Sequence, residues 1–138
     1  MITRLAPDTL RAVPKQYQGI YVHGTQIASL QTLICLSGQI GVAPDGKTHE
    51  SFDSQCHQAM NNVEALLADV GLDAADILRV IYYVTDAANL PTLSNIRQSR
   101  WNQGHAPAVT TLVVAGLAAQ CPICFITLLL IQPTKICS

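Results

Sequence analysis

From Phe52 onward apolar residues recur at steps of three or four: Phe52, Cys56, Met60, Val63, Leu67 and Val70. That period predicts an amphipathic helix opening near Ser51, with Gly71 as its C-terminal cap. The pattern then changes. Ile77 to Thr85 is rich in β-branched and aromatic residues and apolar on both faces, which predicts a central strand covered on two sides. Asn89 is placed to cap a second helix with Pro91 in its first turn, Leu90, Leu93, Ile96 or Arg97, and Trp101 on one face, and an end near Asn102 and Gly104. Two more strands follow, Ala108 to Ala115 and Cys124 to Ile131, with Gly116 and Pro122 between them.

Upstream of the first helix, the run from Leu33 to Val42 reads as a buried strand broken at Ser37-Gly38-Gln39, with Gly38 supplying the break, before the turn Pro44-Asp45-Gly46. A short strand is predicted over Gly19 to Gly24, paired antiparallel with Thr32 to Ser37. The first sixteen residues, containing Pro7 and Pro14, read as an extended lead-in. The order is β-β-α-β-α-β-β, a single α/β (α+β) domain over residues 1–138. Alternate positions of the last strand are apolar on both faces, Cys124, Ile126, Leu128 and Leu130 against Phe125, Thr127, Leu129 and Ile131. Two helices cover only one face of a sheet, so the other is expected to pack on further copies of the chain.

Composition sharpens that expectation. Of the 138 residues, 49% are hydrophobic and only 12% charged, more apolar surface than one small domain conceals. A formal charge of −1 without a Lys or Arg run argues against nucleic acid and against an anionic membrane as partner. No stretch suits a secretory signal or a membrane helix, and the five cysteines, an odd number, point to free thiols in a reducing cytoplasm.

The chemistry-bearing residues are few. Cys121-Pro122-Ile123-Cys124 opens a strand rather than a helix and has no second ligand pair, so it reads as structural. His23, His49, His57 and His105 lack metal-ligand spacing, and neither a metal nor a cofactor is expected. His105 stands apart because it lies in the loop before Pro107, where an imidazole can act near neutral pH. Arg97 and Arg100 read as solvated helix charges, although Arg97 is placed to lean over a pocket edge. No Ser-His-Asp set, phosphate loop or carboxylate pair can be assembled.

One constellation carries more. Ser37-Gly38-Gln39-Ile40-Gly41-Val42 with Asp45-Gly46, Gln55 and Asn62 on a helix, a strand ending Tyr83-Val84-Thr85-Asp86, and Pro107-Ala108 opening another strand resembles the Rid family, also called the YjgF family. The resemblance runs from about Tyr17 to Gln132. It implies a chorismate-mutase-like Rid fold, with two helices on one face of a mixed sheet. It also implies a homotrimer whose sheets form a central barrel, with small-molecule pockets between subunits, and the activity of imine and enamine deaminases. Some members carry older labels as translation inhibitors or ribonucleases, and the charge balance gives the latter no support. The pocket residues it implies are Tyr17, Ser37, Gly38, Asn95, Val109, Thr110, Thr111 and Thr127, with Tyr17, Ser37 and His105 as the candidates for catalysis.

The chain departs from the family pattern at two of these positions. Deaminating members carry an arginine where Val109 stands, which clamps the carboxylate of a 2-imino acid through its planar fork. They also carry acids where Phe125 and Thr127 stand, the second associated with the attacking water, and threonine is no general acid or base near neutral pH. The expected function is therefore a Rid-like trimer that binds a small, weakly charged molecule with 2-imino acid deamination weak or lost. The alternative is a hydrolase of imines or enamines on a neutral or aromatic substrate, using Tyr17, Ser37, His105 and ordered water. A structural or chaperone-like role would rest on the apolar surface alone.

Overall fold

In the computed structural model, residues 2–28, 32–101, 106–118 and 123–132 are described, the last of these as a strand. The N-terminus is not merely a lead-in. Strand β1 (Ile2–Leu5) alternates half-buried and exposed residues and pairs antiparallel with β2 (Gly24–Ile27) as a two-stranded sheet. The expected strand over Gly19 to Gly24 reduces to one parallel bridge between Val22 and Ala108, held by the Val22 N–H on the Pro107 carbonyl at 3.1 Å. A short alternation specifies a face but not a partner, and here the pairing with β1 falls on Gly24–Ile27, just after the expected strand.

Strand β3 (Thr32–Ile34) and the short β4 (Gln39–Ile40) flank the break, which spans Cys35 to Gly38. Both pair with the last strand instead of with the Gly19 to Gly24 segment. Helix α1 (Phe52–Asp69) starts at Ser51, whose hydroxyl accepts the Ser54 N–H at 3.1 Å. It ends at Gly71, which adopts φ +75°. Strand β5 (Ile77–Val84) follows a turn in which Asp73 and Asp76 satisfy backbone N–H groups reciprocally. Helix α2 (Leu90–Trp101) is entered through a single tight turn capped by Asp86, whose carboxylate accepts the Ala88 N–H, so Asn89 is not the cap. Strands β6 (Ala108–Val113) and β7 (Ile123–Gln132) complete the main sheet, ordered β3-β7-β5-β6, with β4 also on β7. β5 is central as expected, parallel to β6 and antiparallel to β7.

Both helices pack on one face of this sheet. Val80, Tyr82 and Val84 of β5 enter a core with Cys56, Ala59, Met60, Val63 and Leu67 of α1 and with Leu93, Ile96 and Trp101 of α2. Burying side chains of this size stabilises by about 1.5–3 kcal/mol each. The helices are also joined by polar contacts. Arg100 donates to the His57 carbonyl at 2.9 Å, to Asn61 at 2.7 Å and to Glu64 at 3.1 Å, and the second Glu64 oxygen accepts the Trp101 indole N–H at 2.8 Å. Arg100 is thus an interhelix tie, not a solvated charge.

Helix α1 also fixes the segment after β4. A Cβ on Gly41 would lie 2.5 Å from the Gln55 Cα, so only glycine permits this approach. Asn62 donates to the Ile40 and Val42 carbonyls at 3.0 and 3.1 Å, bracketing that glycine. Gln55, buried, donates to the His49 carbonyl. Gly46 takes φ +85° in the Pro44-Asp45-Gly46 turn, whereas Gly38 keeps no positive φ.

Candidate functional site

The site begins with the alternation of β6. Its register pairs Val80 with Val109, Tyr82 with Thr111 and Val84 with Val113, so these three β6 residues share the helix-facing side. Thr110 falls on the opposite side, where its hydroxyl accepts from Arg79 at 3.0 Å. The expected threonine pair is therefore divided between two faces. Because β6 is an edge strand, α2 leaves a cleft beside it, and the segment leading to the Val22 bridge closes one end with Tyr17 and Tyr21. The cleft measures about 310 Å³. Val109, Thr111 and Val113 form one wall, and Leu90, Leu93, Ser94 and Arg97 form the other. The Tyr17 and Tyr21 rings lie 6.2 Å apart, tilted by 44°.

Arg97 dominates the electrostatics. Its guanidinium lies over the Tyr82 ring at 5.3 Å from the centroid, close enough for a cation–π interaction. It reaches the Thr111 hydroxyl at 3.4 Å and the Ser94 hydroxyl at 3.5 Å, both long for N–H···O bonds. Its Nε is buried and has no hydrogen-bond partner among the described residues. Burial lowers its pKa, opposed by the Tyr82 and Tyr17 phenols and the Cys56 thiol. Expected above all as a solvated charge, Arg97 instead lines the cleft. Burial likewise pushes Tyr82 up, and it pushes Cys56 up to about 12 despite the opposing pull of Arg100. That thiol is an inert core group.

Of the expected site residues, Tyr17, Val109 and Thr111 meet here. Asn95 is exposed, and its neighbour Ser94 takes the place on the cleft side, a slip of one helix position. Ser37 and Gly38 lie in the break between β3 and β4, both of which pair with β7, and β5 separates β7 from β6. Thr127 is aligned with Val80, and through it with Val109, in one row across three strands. His105, Cys121 and Cys137 lie outside the described residues. Tyr21 and Ser94 were not foreseen as lining residues, nor were Leu90, Leu93 and Val113. Leu90, Leu93 and Arg97 share a helical face, and that spacing was read as core. Among the described residues no Asp, Glu, His or Cys lines the cleft, and those that do line it can bind and orient a ligand but are no general bases near neutral pH. Among the described residues no cluster of His, Cys, Asp or Glu suits a metal ion. Nor is any helix there long and apolar enough to cross a membrane.

Two helices on a small mixed sheet, with a cleft at one sheet edge, define the architectural class, and comparison with known proteins identifies the family. The Endoribonuclease L-PSP family model matches residues 14–123, and the chain belongs to that family, the Rid or YjgF proteins. A 2-iminobutanoate/2-iminopropanoate deaminase of Salmonella typhimurium is 30% identical over 102 residues, covering 72% of this chain and 77% of the relative. A RutC family protein of Aquifex aeolicus is 36% identical over 73 residues, 52% of this chain and 58% of its own length. Among solved structures, the Rid family protein YyfB of Yersinia pestis superposes with a TM-score of 0.82 at 18% identity, covering 95% of this chain and 98% of that one. The fold implied by the resemblance is the fold observed.

Proposed function

We propose that this protein is a Rid-type homotrimer that holds a small molecule in clefts between subunits, with hydrolysis of short 2-imino acids weak or lost. The observation that carries the reading is Val109 on the cleft side of β6, beside Tyr17 and Thr111. An isopropyl group offers a carboxylate no hydrogen bond, and the aligned Thr127 offers no acid or base to a water. Relatives that are named for imine deamination make an imine or enamine the natural ligand class.

The edge positions support the assembly. Ser37 and Gly38 sit toward one edge of the sheet and Val109 and Thr111 at the other, so they can share a pocket only across two subunits. Both edge strands expose apolar side chains, Leu33 at 45% and Leu112 at 42%. Joining one edge to the other edge of the next copy is a heterologous contact that closes by rotation into a ring. Sedimentation equilibrium tests it: a trimer at micromolar concentration is expected, and a monomer would remove the shared pocket.

A second reading, hydrolysis of an imine or enamine on a neutral or aromatic substrate, draws support from the aromatic and hydroxyl lining of Tyr17, Tyr21, Ser94 and Thr111, which can orient such a substrate.

A further inference from the structure

We infer that Arg97 is the anion-recognition group of the cleft, so that the ligand is a monocarboxylate carried on an apolar or aromatic body. The inference rests on the cleft being the ligand site. All nine acidic residues of the chain lie among the described residues, and none pairs with Arg97. Among the described residues a half-buried guanidinium is thus left with two long contacts to neutral hydroxyls, one aromatic face and a buried Nε without a partner. Taking a charge out of water without a counter-ion is costly, and an incoming anion removes that cost. A guanidinium is a planar fork of donors that matches a carboxylate, and the two long hydroxyl contacts are weak enough for one to replace.

The cleft restricts the class further. Arg97 is the one cation among the described lining residues, which matches a single negative charge better than a doubly charged phosphate. Leu90, Leu93, Val109 and Val113 provide apolar walls and Tyr17 an aromatic rim. With Val109 on the β6 wall, the anion is held from α2, and the apolar body of the ligand lies along β6. A three- or four-carbon imino acid anchored on Arg97 would leave those walls wet, whereas an aryl or branched chain covers them.

Binding of 3-phenylpropanoate and of its neutral amide to the full chain, measured by calorimetric titration, tests the inference. The carboxylate is expected to bind at least about 30-fold more tightly than the amide. Arg97→Gln should abolish that preference, and Arg97→Lys should retain part of it. Equal affinities for the two compounds in the unmodified protein would overturn the inference while leaving the cleft as a ligand site, and this comparison needs no variant to fold. Preference surviving in a folded Arg97→Gln protein would also overturn it. Failure of both compounds to bind would remove the inference and the ligand-site reading together.

Discussion

The Arg97 guanidinium rests 5.3 Å from the centre of the Tyr82 ring, and Tyr82 is among the most deeply buried side chains of the core. The cation that faces the cleft is therefore seated on the same aromatic ring that fills the space between sheet and helices. Stability and recognition are coupled at this pair. Tyr82→Ala is expected to cost about 3–5 kcal/mol, the usual range for deleting a buried aromatic, and to loosen Arg97 as well. Urea unfolding at fixed protein concentration checks the first effect and the carboxylate-over-amide preference checks the second.

Gly41 marks the closest approach of the β4 segment to α1. Gly41→Ala forces backbone apart, because the new methyl meets the Gln55 Cα at 2.5 Å, and about 1–3 kcal/mol of stability should be lost. Gly116→Ala is the matched control, since nothing lies within 4 Å of its Cβ position and its φ is not positive. It should stay within about 0.5 kcal/mol of the unmodified protein in the same unfolding measurement.

These two positions show how far the sequence could be read. The α1 face, the central strand Ile77–Val84 and the Gly46 and Gly71 turns were legible because each rests on a local period or on a backbone angle that glycine alone adopts readily. In the sequence Gly41 stands out only as part of a family pattern, and Gly38 marks the expected strand break. What makes Gly41 necessary is Gln55 of α1, a contact no local pattern encodes. The pairing of β1 with β2 was missed for the same reason, as strand partners are settled by long-range geometry. In the cleft, Val109 and Thr111 were legible but Thr110 was placed with them, although a period of two separates neighbours. A helical arginine is usually solvated, and the sequence offers for Arg97 only a place at a pocket edge; its partial burial follows from Tyr82 and the edge position of β6.

Glu64 holds both Arg100 and the Trp101 indole, and so joins the helices at the far end of α2. Glu64→Ala should cost about 1–3 kcal/mol by leaving donors of a partly buried arginine unsatisfied. The change is read from the unfolding midpoint. Arg100→Lys should lose much of the same amount, since an ammonium cannot span His57, Asn61 and Glu64 as the fork does.

The alkaline limb of stability should report Cys56. Its thiol pKa is raised from 9.0 to about 12 by burial, so below pH 9 it is protonated whether the chain is folded or not. Between those values only the unfolded chain gives up the proton, and stability falls as pH rises, by about 1.4 kcal/mol per pH unit. Cys56→Ala should lower stability at pH 7 through its cavity but flatten the decline that begins near pH 9. Unfolding curves at intervals from pH 8 to 10 distinguish the two effects.

The most direct test of the proposed function is the consumption of a short 2-imino acid generated in situ by a dehydratase, comparing the unmodified protein with Val109→Arg/Thr127→Glu and with a deaminase relative. Val109 leaves β6 without the arginine that would hold a short substrate's carboxylate, and Arg97 on the α2 wall leaves a three- or four-carbon body short of β6, so a loss of about 2–5 kcal/mol is expected, equivalent to roughly 30- to several-thousand-fold in rate. The unmodified protein is expected to fall below the relative by at least that factor and the double variant to recover part of it. Hydrolysis by the unmodified protein at the rate of the relative would contradict the binding reading and leave the hydrolase in its place.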